Sequence, residues 1–201
     1  MLKKYGKILC FLLLLLKGKQ LGLYTYEDNS FLRIIIRVIV YIAVVISAAW
    51  FVVYSFLNQT IISGNSMAPV LEAEEMCLVD SLCYELSSPR RFDVILFERA
   101  DTGKQNVKRI IGLPGEQVMI SNGNIYINGE ILENEYTSDI SLPGIAENIV
   151  ELSEDEYFVL GDNADSSEDS RFSNIGNVSR SSIKGKLWLI IKPLTKTGVI
   201  R

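Results

Sequence analysis

Gln117-Val118-Met119-Ile120-Ser121-Asn122-Gly123-Asn124-Ile125-Tyr126-Ile127-Asn128-Gly129 reads as a pair of consecutive hairpins. A two-residue hairpin turn needs positive φ at its central positions, and Asn-Gly is the pair that supplies it. Here Asn122-Gly123 and Asn128-Gly129 bracket the run Asn124-Ile125-Tyr126-Ile127, and the turn Leu113-Pro114-Gly115 precedes the first strand. The stretch is an antiparallel meander, and it sets the class of what surrounds it. On its amino side, Met76 to Val79, Asp93 to Phe97 and Val107 to Ile111 are short runs rich in β-branched and aromatic residues, as strands are. On its carboxyl side, Tyr157 to Leu160 and Lys186 to Ile191 resume the pattern. Residues 133 to 156 are polar and acidic, and read as a loop excursion from the sheet, solvated rather than a binding surface. The expectation is a mostly β domain of antiparallel sheet over residues 58 to 201.

Ahead of that domain lies a charge-free run of twenty residues, Val38 to Leu57. A helix of about this length crosses a bilayer core of roughly 30 Å. A buried core helix is the plainer alternative, but Tyr41, Trp50 and Tyr54 suit interfacial anchoring, and a single transmembrane α-helix is expected over 38 to 57. Seven basic and two acidic residues precede Val38, whereas thirteen basic and twenty-two acidic residues follow it, so +5 and −9 add to the net −4. Basic flanks stay in the cytoplasm. Residues 1 to 37 are therefore expected to be a basic cytoplasmic segment and residues 58 to 201 extracytoplasmic. The apolar run Ile8 to Leu16 is too short to span, and Lys17-Gly18-Lys19 offers no small-residue cleavage site after it. It reads as a cytoplasmic or interfacial segment, with cleaved secretion as the alternative.

The chain contains no histidine. That removes Ser-His-Asp triads, Cys-His dyads and the helical zinc-hydrolase motif together. Acid–base chemistry must then use Lys, Asp, Glu or Tyr, and no metal site is expected from the three cysteines. Cys77 and Cys83 would form a disulfide in an oxidising compartment or remain free thiols, while Cys10 would face the reducing side.

Two residues carry the candidate chemistry. In Ser63-Gly64-Asn65-Ser66-Met67-Ala68-Pro69-Val70-Leu71, Gly64, Asn65 and Pro69 make a rigid bend that presents Ser66. By itself such a serine is a turn residue. A serine hydroxyl needs a base, and without histidine the practical one is a neutral lysine amine, desolvated or set beside other cations. Lys108 stands in the apolar Val107-Lys108-Arg109-Ile110-Ile111, where strand alternation points it opposite to Arg109. Alone it would be an edge or snorkelling lysine.

Together these blocks carry a resemblance. The Ser63 to Leu71 bend, then Lys108-Arg109-Ile110-Ile111-Gly112-Leu113-Pro114-Gly115-Glu116, then Gly161-Asp162-Asn163-Ala164-Asp165-Ser166-Ser167-Glu168-Asp169-Ser170-Arg171, closely resemble the bacterial type I signal peptidases. Those are membrane-anchored Ser/Lys-dyad endopeptidases that remove signal peptides from exported preproteins. The resemblance runs from about residue 35 to 195, and includes Arg91 to Phe97, similar to a strand motif of the family.

The resemblance implies an antiparallel β-sheet catalytic domain of signal-peptidase type, held at the cell membrane by one transmembrane helix. It makes Ser66 the nucleophile, with its own N–H in the oxyanion hole, and Lys108 the general base that later protonates the leaving amine. Ser167 would orient Lys108 through a hydrogen bond, Asp169 and Arg171 would form an ion pair, and Asp162 and Asn163 would be structural. Two positions depart from the pattern. Gly64 stands where some members place a second oxyanion donor, Ser63 being out by one residue, and Ala164 replaces a usual arginine. Removing one such donor costs roughly 10²- to 10³-fold where nothing replaces it, so another group is expected there. The implied partners are preprotein signal peptides, with small residues such as Ala one and three positions before the scissile bond, and the lipid bilayer. Neither metal, organic cofactor nor nucleic acid is implied. Nine residues from Leu57 to Ser66, at about 3.5 Å each, keep the serine within roughly 30 Å of the bilayer face.

Other readings use the same residues differently, one being a peptidase dedicated to a few specialised substrates. A catalytically silent membrane assembly or binding protein could keep the fold, and the intact Ser66 and Lys108 weigh against it. A repressor-cleaving Ser/Lys autoprotease shares the chemistry but is soluble and carries a DNA-binding region. The eukaryotic-type signal peptidase needs a histidine base that this chain lacks.

Overall fold

A computed structural model describes residues 30–56, 58–137 and 140–200. The chain divides into two compact units, one ending at Val53 and the other beginning at Tyr54. In the first, α1 (Ser30–Phe56) is a helix of 27 residues. Its segment Phe31–Phe51 is long and apolar enough to cross a membrane, and Phe31, Ile39, Ile42, Val45 and Trp50 are all exposed. By length and composition it is a candidate membrane span. The helix begins eight residues before the predicted start at Val38 and takes in Arg33 and Arg37. The shift has a simple cause: arginine is a good helix former, so absence of charge marks the apolar part of the helix and not its first turn. Lys3 to Lys19, Cys10 and the Ile8 to Leu16 run lie outside the described residues.

The second unit is antiparallel β structure, as expected. Among the described residues its strands are β1 (Asn58–Ile61), β2 (Met76–Asp80), β3 (Val94–Glu98), β4 (Gln105–Gly112), β5 (Gln117–Ser121), β6 (Asn124–Ile127), β7 (Glu130–Ile131), β8 (Val150–Glu151), β9 (Glu156–Leu160), β10 (Val178–Ser179), β11 (Ile183–Lys192) and β12 (Gly198–Val199), with one short α-helix, α2 (Cys83–Leu86), and four single 3-10 turns. They form a larger sheet in the order β1-β2-β11-β3-β4-β9-β10, with β12 added on β11, and a smaller one in the order β7-β6-β5-β8.

The smaller sheet is the meander read from Gln117 to Gly129. Ser121 pairs with Asn124 and Ile127 with Glu130, so each turn has two residues. Asn122, Gly123, Asn128 and Gly129 all have positive φ, between 50° and 85°. That is the mirror-image turn whose twist matches the flanking strands.

Why the central strands are apolar without alternation is clear from the core. On β3, Val94 and Leu96 join a cluster with Met67, Leu71, Cys77, Val79 and Leu187, while Ile95 and Phe97 join another with Ile110, Tyr157 and Val159. On β9, Phe158 and Leu160 face a third cluster with Ile111, Val118, Ile120 and Ile125. Successive side chains point to opposite faces, so a strand covered on both sides must be apolar throughout.

Residues 133 to 156 are not simply a loop outside the sheet. Within them β8 pairs with β5, Val150 opposite Val118, and Ile140, Ala146 and Leu152 are buried in the third cluster. A strand of two residues is too short to show alternation, and the buried residues are spaced irregularly between acidic ones. Cys77 and Cys83 are free thiols, and burial raises both to a pKa of about 11.

Candidate active site

The Ser66 bend is closed at its base by two backbone hydrogen bonds, Ile62 N–H to the Glu75 carbonyl and Glu74 N–H to the Ile62 carbonyl, both 2.9 Å. Gly64 sits at φ +81°, a conformation that L residues rarely adopt. Beyond the serine, Met67 and Leu71 are fully buried, and Leu71 N–H reaches the Met67 carbonyl at 2.8 Å. Two apolar anchors thus hold the turn while Ser66 stays half-buried at the surface. From the far side of the site, Asn163 N–H donates to the Ser66 carbonyl at 3.0 Å.

β4 brings the lysine. Lys108 is 4% exposed, and its Nζ lies 2.8 Å from Ser66 Oγ in a hydrogen bond across 42 residues of sequence. Burial pushes its pKa down from 10.5 to about 8, against the opposing pull of Asp169 and Glu168. A neutral amine is therefore accessible close to neutral pH. The same 2.8 Å separation then suits transfer of the serine proton to nitrogen.

The neighbouring Arg109 points the other way, as alternation requires. Its Nε and Nη2 meet Asp162 Oδ1 and Oδ2 at 2.8 and 2.6 Å, and Nη1 reaches the Phe92 carbonyl at 2.9 Å. Both side chains are fully buried, and the Tyr136 ring lies 4.1 Å from the guanidinium carbon. An arginine with no solvent exposure needs a carboxylate partner. The apolar surroundings of Arg109 were the signal available in the sequence. Nothing local named Asp162 as its partner, nor placed Tyr136 over it.

The segment from Gly161 to Arg171 packs against both strands. Asp169 and Arg171 form a buried ion pair, Nε to Oδ1 at 2.8 Å and Nη2 to Oδ2 at 3.0 Å, rather than a casual surface contact. Asp169 also accepts from Gly161 N–H at 3.1 Å, and Arg171 donates to the carbonyls of Leu142 and Ala164. Ala164 is buried in the third apolar cluster, so the small residue in place of an arginine helps close a core. Ser167 is buried beside this network, but its hydroxyl has no hydrogen-bond partner. The bond to Lys108 implied by resemblance is not formed, while the lysine amine donates to Ser66 Oγ at 2.8 Å. Gly161 lets Ser167 and the Ser66 bend approach closely: a Cβ there would lie 2.3 Å from Ser167 Oγ and 2.4 Å from the Ser66 carbonyl. Among the described residues no group of three or more His, Cys, Asp or Glu is arranged to hold a metal.

So the fold gathers Ser66, Lys108, Asp162, Asn163, Ser167, Asp169 and Arg171 around one centre, from a bend, a strand and one loop. Comparison with known proteins agrees in extent. Residues 35–192 match the sequence model of the family described as "Signal peptidase, peptidase S26". A "Probable signal peptidase I-2" of Synechocystis sp. is 32% identical over 145 residues, 69% of this chain, which spans 65% of that relative's length. "Signal peptidase I U" of Bacillus subtilis is 34% identical over 169 residues, covering 79% of this chain and 89% of the relative. A crystal structure of a signal peptidase I from Enterococcus faecalis is 33% identical, covers 50% of this chain and 97% of its own, and superposes with a TM-score of 0.41. With the match spanning most of the helix, the Ser66 bend, β4 and the Gly161 to Arg171 loop, the chain belongs to the signal peptidase family, peptidase S26.

Proposed function

We propose that this signal peptidase cleaves N-terminal signal peptides from exported preproteins with Ser66 as nucleophile and Lys108 as general base. The observation that carries the reading is the 2.8 Å contact between the Ser66 hydroxyl and a buried lysine amine, in a chain without histidine. In the first step the neutral Lys108 amine takes the Ser66 proton as Oγ attacks the scissile carbonyl. The oxyanion is received by the Ser66 N–H, and the ammonium then protonates the departing amine. Water, deprotonated by the same lysine, releases the signal peptide from Ser66. The second oxyanion donor is a group other than a side chain at position 64, which is glycine.

The substrate enters as an extended segment. β4 pairs with β3 from Gln105, but β9 joins it only from Arg109, so Gln105 to Lys108 keep one strand edge unpaired among the described strands. A peptide adding to that edge would pass Ser66 in β-strand form, with alternate side chains in register with small pockets. By family resemblance, Ala and similar small residues fit one and three positions before the cleaved bond.

Ser66→Ala and Lys108→Ala should each abolish cleavage of a preprotein in detergent while the domain stays folded, and full activity in either variant overturns the dyad. The charge asymmetry about the helix supports a cytoplasmic amino terminus and an extracytoplasmic domain from residue 58. Protease added outside intact cells should then cut within residues 133 to 156, and protection of that segment in cells, when the same protease cuts it in detergent, reverses the orientation.

A further inference from the structure

Within the loop from Ser167 to Arg171, four of the five side chains are buried; Glu168 alone turns outward. It is largely exposed and carries one ion pair. Arg99, just past the end of β3, reaches Glu168 Oε2 through Nη1 at 3.2 Å. The arginine is held for this contact. Its Nε and Nη2 are fixed by Asp101 at 2.9 and 2.6 Å, and its backbone N–H and carbonyl are engaged with Lys104 and Gly103 in the β3–β4 turn. Its side chain is only 12% exposed, against 66% for Glu168.

The register places this contact on the working side of the sheet. Ile95 lies opposite Lys108 and Phe97 opposite Asn106, so alternation puts Arg99 on the same face as Lys108. We propose that the Arg99–Glu168 ion pair is a strap between the β3–β4 turn and the active-site loop, and that the two charges position that loop and balance each other's field at the Lys108 amine. The proposal rests on Lys108 being the general base.

Four charged groups act on that amine besides its burial. Asp169, Glu168 and Asp162, all on the Gly161 to Arg171 loop, favour its protonated form, and Arg99 opposes it. Asp169 and Asp162 are committed to buried arginines, Arg171 and Arg109. The Arg99–Glu168 pair is the part of this field that can be altered from the rim without opening the core.

The test is the pH dependence of kcat/KM for the full chain in detergent, on an internally quenched peptide with Ala one and three positions before the cleaved bond. Glu168→Gln removes a charge that favours the ammonium, so the acidic limb should move to lower pH. Arg99→Gln removes a charge that opposes it and frees both Asp101 and Glu168, so the limb should move to higher pH. Each shift should be roughly 0.2 to 0.7 pH unit, as for an exposed charge interaction. The double variant should lie between the two single variants, because Asp101 has then lost its partner. A purely structural strap would lower activity in both variants without moving the limb in opposite directions, and that result, or no movement at all, overturns the proposal. Lys108→Ala separates the two readings: if it still cleaves, the dyad itself is wrong, whereas an inactive Lys108→Ala with unmoved limbs removes only the strap.

Discussion

Replacing Lys108 by methionine keeps a flexible chain of similar length and removes the amine, so it isolates what burying an ionisable group costs this fold. In the folded chain the lysine pKa falls from 10.5 to about 8, chiefly through burial. The difference of about 2.5 pH units (10.5 − 8) corresponds to ~3 kcal/mol. Between about pH 8 and 10.5 the unfolded chain binds this proton and the native chain does not, so native stability rises with pH across that window. Below about pH 8 the full cost of a buried ammonium is present, and above 10.5 it has gone. Lys108→Met carries no such term. Relative to that variant, the parent should therefore gain ~3 kcal/mol as pH rises through the window, a large share of a total stability of ~5–15 kcal/mol. The assay is denaturant unfolding of the full chain in detergent at a series of pH values, with the variant subtracted from the parent at each. The acidic limb of kcat/KM should fall at about the same pH of 8, because only the neutral amine can take the serine proton. A flat difference curve, or an acidic limb near the ordinary lysine value, would refute the argument that burial prepares this base.

Two further outcomes follow from the packing around the dyad. Asp162→Ala leaves the Arg109 guanidinium buried without a carboxylate and should cost ~3–5 kcal/mol in denaturant unfolding, with much of it regained when Arg109→Met is added; an unchanged midpoint would show that water reaches the pair. Gly161→Ala drives a Cβ to 2.3 Å from Ser167 Oγ and 2.4 Å from the Ser66 carbonyl, so the serine must move. A displacement on that scale should lower kcat/KM roughly 10²-fold with circular dichroism unchanged, and a fully active variant would refute the close approach.

How far the sequence could be read depended on the range of the signal. The two Asn-Gly turns were legible because their chemistry is local: the positive φ values at Asn122, Gly123, Asn128 and Gly129 follow from the residues themselves. The strands from Met76, Asp93, Val107, Gln117 and Tyr157 were legible from composition, with ends moved by a residue or two. β1, β7, β8, β10 and β12 have two to four residues each and no pattern of their own, because their neighbours in the sheet define them. The packing of residues 133 to 156 is hidden for the same reason: Ile140, Ala146 and Leu152 share a core only after β8 has paired with β5. At the site, the bend at Ser66 and the isolated Lys108 were visible as residues, and the opposite direction of Arg109 followed from alternation. The Ser167 hydrogen bond to Lys108 was expected and is not formed.

By itself, then, the sequence determined an antiparallel β domain after one membrane-length helix, and a serine and a lysine with no histidine between which to divide the work. Period, turn chemistry and the absence of a residue type need no knowledge of the fold. Only the tertiary structure decided that the Lys108 amine stands 2.8 Å from Ser66, 42 residues away, and that Arg109 meets Asp162 across 53 residues. Those distances depend on the registers of β3, β4 and β9 and on two buried side chains, Met67 and Leu71, that fix the Ser66 bend. Register is chosen by burying both faces of the sheet at once, a condition that no stretch of this chain satisfies alone.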